Sequence, residues 1–152
     1  MSQKIISAPS DGERINFIGE TVRMLVDSHA SDGSMVQFEA FSPPGGGPPL
    51  HTHANDDESF FILEGNVKFS IDGKESVQGP GNFVFAPRGS LHTFCNLGPG
   101  RSRMLITCSP SGIETAFREA AKLEAAGLLN PQTIGEVFAK VGITFKGPPL
   151  KP

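Results

Sequence analysis

The 152-residue sequence contains no tryptophan and no tyrosine, which excludes every mechanism that needs a phenol: a tyrosine general acid, a tyrosine nucleophile or a tyrosine-derived cofactor. Cysteine is almost as scarce. Cys95 and Cys108 are the only two and lack CxxC spacing. A chain of this length buries roughly 70% of its unfolded surface and needs no disulfide to fold, so both are expected as free, buried thiols in a reducing compartment. No apolar run approaches the roughly 18 residues of a spanning helix, and residues 1–19 contain no apolar stretch of secretory length. A cytoplasmic protein with no membrane partner is expected. Positive charge is also short, with 13 Lys and Arg against 16 Asp and Glu and a net charge of -3. Without a broad positive field, nucleic acid is not an expected partner.

What the chain has is glycine, proline and phenylalanine, at 18, 13 and 12 residues. After a polar first ten residues, apolar runs of period two predict strands over 21–26, 35–41, 59–63, 67–71, 82–86 and 103–108. Asp32-Gly33, Glu64-Gly65-Asn66 and Asp72-Gly73 stand where tight hairpins are expected, because Gly and Asn accept the positive φ of the favoured turns. Many short strands without intervening helices predict a mainly β fold, an antiparallel sandwich or barrel. From Gly112 the period becomes helical. Ile113, Ala116, Phe117 and Ala120 form one stripe, with Ser111 as the expected N-cap and Gly127 as the stop. Asn130 caps a second short helix, with Pro131 in its first turn, an apolar face of Ile134, Val137, Phe138 and Val141, and Gly142 at its end. Residues 1–110 therefore read as one β domain and 111–152 as a helical extension packed on it.

Chemistry concentrates in residues 45–65, GGGPPLHTHANDDESFFILEG. His51 and His53 are two apart, so on a strand both imidazoles project to one face with Cα atoms about 6.6 Å apart, and both can reach one metal ion. Glu58 follows five residues later, far enough for a turn and a return along the neighbouring strand, which adds an oxygen ligand. Asp57 is the alternative oxygen ligand within the same acidic run. His92 supplies a third nitrogen from a strand expected after the Pro87-Arg88-Gly89 turn. Three imidazoles and a carboxylate with open positions for water or substrate make a catalytic rather than a closed structural site. Gly45, Gly46, Gly47, Pro48 and Pro49 read as a stiff loop that delivers His51, and His29 reads as a loop residue without a role.

These residues resemble the cupin family. Its first motif, G-x5-HxH-x4-E-x6-G, is matched by Gly45, His51, His53, Glu58 and Gly65, and its second, G-x5-PxG-x2-H-x3-N, by Gly81, Pro87, Gly89, His92 and Asn96. The gap of fifteen residues between Gly65 and Gly81 also suits small single-domain cupins. The resemblance covers residues 45–96. It implies an antiparallel β-barrel or jelly roll, here with two short C-terminal helices, and one divalent metal ion on His51, His53, Glu58 and His92. Fe, Mn, Ni, Cu and Zn all suit that donor set.

With its short length and C-terminal extension, the chain looks similar to quercetin-dioxygenase-like monocupins. That implies a metal-dependent dioxygenase acting on a small, apolar, aromatic or enol-bearing (flavonol-like) substrate, with Glu58 both ligand and catalytic base and a homodimer as the assembly. Phe60, Ile62, Phe83, Phe85 and Phe94 are candidates to line its pocket. The alternatives are a metal-containing small-molecule binding or sensor module without turnover, and an isomerase or lyase, because the fold hosts many functions. The cysteine-dioxygenase branch fits poorly, since it commonly lacks the carboxylate ligand and some members use a Cys-Tyr crosslink.

Overall fold

Period-two alternation decides the architecture. A computed structural model describes residues 1–152. The chain runs β1 (Arg14–Phe17), β2 (Glu20–Val26), α1 (Ser28–Ser31), β3 (Val36–Ser42), β4 (Pro49–His53), β5 (Asp57–Glu64), β6 (Val67–Ile71), β7 (Lys74–Gln78), β8 (Phe83–Ala86), β9 (His92–Asn96), β10 (Ser102–Ser109), α2 (Ile113–Ala125), α3 (Pro131–Ala139) and β11 (Ile143–Pro149). All pairings are antiparallel. The strands form a six-stranded sheet in the order β1-β2-β3-β10-β5-β8 and a five-stranded sheet in the order β11-β4-β9-β6-β7.

On β10 the alternation is strict: Met104, Ile106 and Cys108 are buried, while Arg103, Leu105 and Thr107 are not. Inward side chains of the two sheets meet as Phe rings. Phe60 on β5 lies 5.1 Å from Phe69 on β6 and 5.9 Å from Phe94 on β9 between ring centroids. Such edge-on pairs add about 0.5–1.5 kcal/mol each beyond their area burial.

The six expected strands are present as β2, β3, β5, β6, β8 and β10. Beyond these and the histidine-bearing β4 and β9, β1 and the first half of β11 alternate over only four residues each, and β7 carries no alternation. β7 is an edge strand with its first four residues exposed, and β11 contains a glycine and two prolines, which edge strands tolerate. Of the expected hairpins only Asp72-Gly73 is one, with φ of 47° and 82° between paired β6 and β7. The turn at Gly65 instead carries the chain from one sheet to the other. Asp32 is the left-handed C-cap of α1, a one-turn helix that holds the exposed His29 where a loop was expected.

The helices cover one open end of the sheets. Phe117 of α2 packs 5.4 Å from Phe17 and 5.2 Å from Phe38, and Phe138 of α3 lies 5.5 Å from Phe145 of β11. Asn130 caps α3 with a full capping box. The N-cap of α2 is Gly112, not Ser111. The Ser111 hydroxyl donates to Gly33 O at 3.1 Å, and the buried Glu114 carboxylate accepts the backbone N–H groups of Gly112 and Ser28, each at 2.9 Å. Cys95 and Cys108 are both buried and unpaired, and no helix is long and apolar enough to cross a membrane.

One polar group on the outer side of the six-stranded sheet holds three strands together. Glu39 on β3 is 3% exposed and accepts from Arg23 on β2 and Arg103 on β10. Burial opposes its ionisation, but the two guanidinium groups dominate and keep its carboxyl below the ordinary 4.5. Removing one partner of a buried pair costs about 3–5 kcal/mol, so Glu39→Ala is expected to lower the unfolding free energy at pH 7 by about that amount. Because the folded carboxyl titrates below its ordinary value, its contribution is complete above pH 4.5 and fades as the pH falls below it. Chemical denaturation of both proteins from pH 7 to pH 3 checks this; a constant difference would contradict it.

Candidate metal centre

The site begins with the glycine-proline loop before β4. Gly47 has φ 156°, and a Cβ there would lie 1.9 Å from the carbonyl oxygen of Phe94. Only glycine lets this loop lie directly on β9, and β4 starts at Pro49, two residues on. His51 and His53 then leave the same face of β4, and His51 pairs in register with His92 on β9. Glu58 does not return along the neighbouring strand as the spacing suggested. β5 belongs to the other sheet, paired with β10 and β8, so the carboxylate reaches the imidazoles across the core. One donor atom from each of His51, His53, Glu58 and His92 lies within 4.8 Å of the others, and all four residues are buried.

The hydrogen bonds fix which nitrogens face the centre. His51 Nδ1 lies 2.7 Å from Pro49 O, His92 Nδ1 lies 3.1 Å from Ser90 O, and His53 Nδ1 lies 2.8 Å from Asp56 Oδ2. A carbonyl or carboxylate oxygen can only accept, so each ring carries a proton on Nδ1 and turns Nε2 toward the centre. Glu58 Oε2 sits 3.0 Å from His92 Nε2 and 3.1 Å from His53 Nε2. His53 Nε2 is buried without a hydrogen-bond partner. In this buried site the Nε2 atoms and the carboxylate need a positive charge between them, a proton or a metal ion, and a set of imidazoles with one carboxylate suits a first-row divalent metal. The cluster can hold a metal ion.

The charges agree. Burial opposes ionisation of Glu58, yet the neighbouring His53 and His92 rings dominate and hold its carboxyl well below 4.5. Burial would also lower His53, but Glu58 and the hydrogen bond to Asp56 prevail and raise it to about 10. Burial, with the positive field of His92, lowers His51 to about 4. A single positive centre is favoured here and a second is not. Cys108 comes within 4.8 Å of His53 and Asp56, but burial pushes its thiol well above the usual range, so it stays protonated.

Asp57, the alternative oxygen ligand, points the other way. It pairs with Arg88 at 3.0 Å, and the hydrogen bonds from Arg88 lower its carboxyl to about 2. Asn96 is fully buried and structural: its amide donates to Ser42 O and Gly100 O at 2.9 and 2.8 Å. Asp56, which the spacing did not single out, is buried behind His53. Its signal lay in the sequence as an acidic residue three positions after a ligand on the same turn.

Beside the cluster lies a cavity of about 100 Å³. Fourteen of its 21 lining residues are hydrophobic, which disfavours a highly charged ligand. Phe60 and Phe94 line it as expected, but Phe83 and Phe85 are 62% and 53% exposed on the outer face, and Ile62 is core. Phe83 and Phe85 share one face of β8, and it is the face away from Ala86, which packs inward beside Glu58. The other aromatic walls are Phe17, Phe38, Phe117, Phe138 and Phe145.

The cupin-domain family model matches residues 38–108, the span that contains all four clustered side chains. Residues 38–108 carry a cupin domain. A quercetin 2,3-dioxygenase of Bacillus subtilis is 26% identical over 108 residues, which are 71% of this chain but only 32% of that protein; the chain thus spans about a third of this relative. Among solved structures, KdgF from a Halomonas species superposes with a TM-score of 0.65 at 15% identity, covering 74% of this chain and 98% of the other. The polyketide cyclase RemF of Streptomyces resistomycificus gives 0.62 at 23% identity over 72% and 81%. A predicted oxalate decarboxylase of Thermotoga maritima gives 0.61 at 25% identity over 70% and 99%.

One divalent ion per cupin chain is expected after reconstitution and desalting, measured by elemental analysis. His53→Ala should lose it while keeping the far-ultraviolet circular dichroism of the parent. Stoichiometric metal in that variant would overturn the site assignment.

Proposed function

We propose that this cupin is a cytoplasmic, metal-dependent dioxygenase whose substrate is a small enol-bearing aromatic compound, with His51, His53, Glu58 and His92 as ligands to one Fe, Mn, Ni, Cu or Zn ion. The observation that carries this reading is the convergence of three imidazoles and one carboxylate, of which His51, His53 and Glu58 border a Phe-lined cavity. A bound divalent metal supplies an open position at which a substrate oxygen can be held and activated toward O2. Glu58, ionised beside the rings, is placed to take the proton of a substrate hydroxyl. The aromatic walls orient an apolar ring and exclude water, which strengthens the electrostatics inside.

The lining also bears on substrate class. No lysine or arginine borders the cavity. Arg88 pairs with Asp57, Arg103 with Glu39 and Glu64, and Arg101 donates to Thr21 Oγ1. A sugar-phosphate isomerase would want such a cation facing its ligand, so this arrangement favours an uncharged substrate. A cavity of about 100 Å³ falls below the roughly 300–1,000 Å³ of clefts for drug-sized ligands. A single-ring enol or diol fits this scale better than a three-ring flavonol, which needs α2 and α3 to move outward. The Bacillus relative's name supports the reaction type and, at its low identity, not the substrate.

Reconstitution with Fe, Mn, Ni, Cu or Co, followed by oxygen-electrode assays with catechols, single-ring enols and flavonols, tests the reading. O2 uptake is expected with at least one metal, faster with single-ring substrates, and Glu58→Gln should lower it at least a hundredfold. Binding without O2 uptake across all metals would make the protein a binding module instead.

We also propose a homodimer. Phe61, Phe83 and Phe85, 40%, 62% and 53% exposed, cluster on β5 and its edge neighbour β8, and pairing two copies there would cover both the rings and the unpaired strand edge. Light scattering should give twice the monomer mass for the parent and the monomer mass for Phe61→Ser/Phe83→Ser. A monomeric parent would refute the dimer.

A further inference from the structure

The three imidazoles of the cluster are not anchored alike. His51 and His92 give their Nδ1 protons to backbone carbonyls of residues two positions before them, Pro49 and Ser90. Those acceptors come with the strand geometry and persist whatever side chains stand there. His53 alone leans on a side chain, the carboxylate of Asp56 at 2.8 Å. Asp56 is 5% exposed, and no lysine or arginine pairs with it. Burying a carboxylate is costly unless something compensates it. Its neighbours are the His53 ring and the Cys108 thiol, whose sulfur lies within 4.8 Å. The loop that carries Asp56 is anchored where it begins: in the His53–Ala54 peptide, Ala54 N donates to Gly142 O at 2.9 Å and His53 O accepts from Gly89 N at 2.7 Å.

We infer that Asp56 is a positioning residue of the metal centre, which fixes the tautomer and rotation of His53 and supplies the second of two buried negative charges that together balance a divalent ion. The inference rests on the metal-site reading above and adds to it. Sequence spacing placed one carboxylate at the centre, as a ligand. With Asp56 behind His53, the protein contributes two negative charges, Glu58 in contact with the ion and Asp56 one ring away. Two carboxylates and a divalent cation are neutral as a set, which lowers the cost of enclosing the ion among phenylalanines. The carboxylate also makes the imidazole a stronger donor. Outer partners of this kind are worth about 10–100-fold in metal affinity.

Two variants separate charge from hydrogen bonding. Asp56→Asn keeps an acceptor oxygen and the side-chain volume but removes the charge; Asp56→Leu removes both charge and acceptor. Zn2+ affinity is measured by chelator competition, and ring tautomers by 15N-detected correlation spectra of the Zn2+-loaded protein. Asp56→Asn should keep the His53 Nδ1–H signal and bind Zn2+ about tenfold more weakly. Asp56→Leu should lose that signal, leave the His51 and His92 rings unchanged, and bind about 100-fold more weakly. A merely structural residue would move all three rings or none. Wild-type affinity together with an intact His53 tautomer in Asp56→Leu overturns the inference. If Asp56→Leu fails to fold, unchanged affinity in Asp56→Asn does so. Wild-type protein that binds no Zn2+ would instead refute the metal-site reading, and this inference falls with it.

Discussion

The arrangement on which the rest depends is the set of three Nδ1–H hydrogen bonds to Pro49, Asp56 and Ser90. Each commits one nitrogen outward and turns Nε2 inward, so the centre of the barrel is lined with three ring nitrogens and one carboxylate that need a positive charge among them. Such a surface is unfavourable when empty and favourable around a cation. The fold's task is to hold these acceptors together against their mutual repulsion. It does so by taking them from both sheets: two imidazoles from β4, one from β9 beside it, and the carboxylate from β5 across the core. Neither sheet alone contains the set.

The two sheets can hold it because everything around it is stiff and apolar. Phe60 touches Phe69, Phe94 and the His92 ring, with centroids 5.1, 5.9 and 6.2 Å away. One phenylalanine thus joins the core to the site. On the opposite side, β11 pairs with β4 in register, with Ile143 opposite His53 and Phe145 opposite His51. A C-terminal segment that begins as two helices therefore ends as the strand that braces both histidines. The same segment supplies Phe117, Phe138 and Phe145 to the cavity wall. Closure of the barrel end and the apolar walling of the cavity arise together, from residues far from either motif.

Much of this was legible in the sequence, and the reasons differ by element. Strands with one wet and one dry face, such as β10 and β5, announce themselves by alternation. The four clustered side chains are marked by motif spacing, because the geometry of strand and turn leaves few other ways to bring them together. Exposed edge strands such as β7 carry no alternation, since no face of theirs is buried. The sheet to which β5 belongs was also hidden. A return to the neighbouring strand and a crossing to the opposite sheet need the same number of linking residues, so the HxH-to-Glu interval cannot distinguish them. Phe83 and Phe85 show the limit of composition: their residue type suits a pocket, but the register of β8 against β5 turns them outward. Asp56 is not legible in the sequence, because a carboxylate beside a carboxylate ligand reads as a solvated charge run, and only the turn after β4 folds it beneath His53 while Asp57 faces Arg88.

That divergence of three consecutive acidic residues is the sharpest expression of the design. Asp56, Asp57 and Glu58 have nearly the same chemistry, yet one lies beneath a ligand, one is paired on the surface and one stands at the centre. The start of β5 separates them, because its alternation sends Glu58 inward and Asp57 outward, while Asp56 still belongs to the turn. Local backbone geometry therefore sets how much negative charge is buried. Two carboxylates within the barrel and one outside leave a centre matched to a doubly charged ion; burying Asp57 as well would leave an excess negative charge among phenylalanines, with no basic side chain lining the cavity to offset it. The placement of this acidic run, as much as the identity of the histidines, defines what the site can hold.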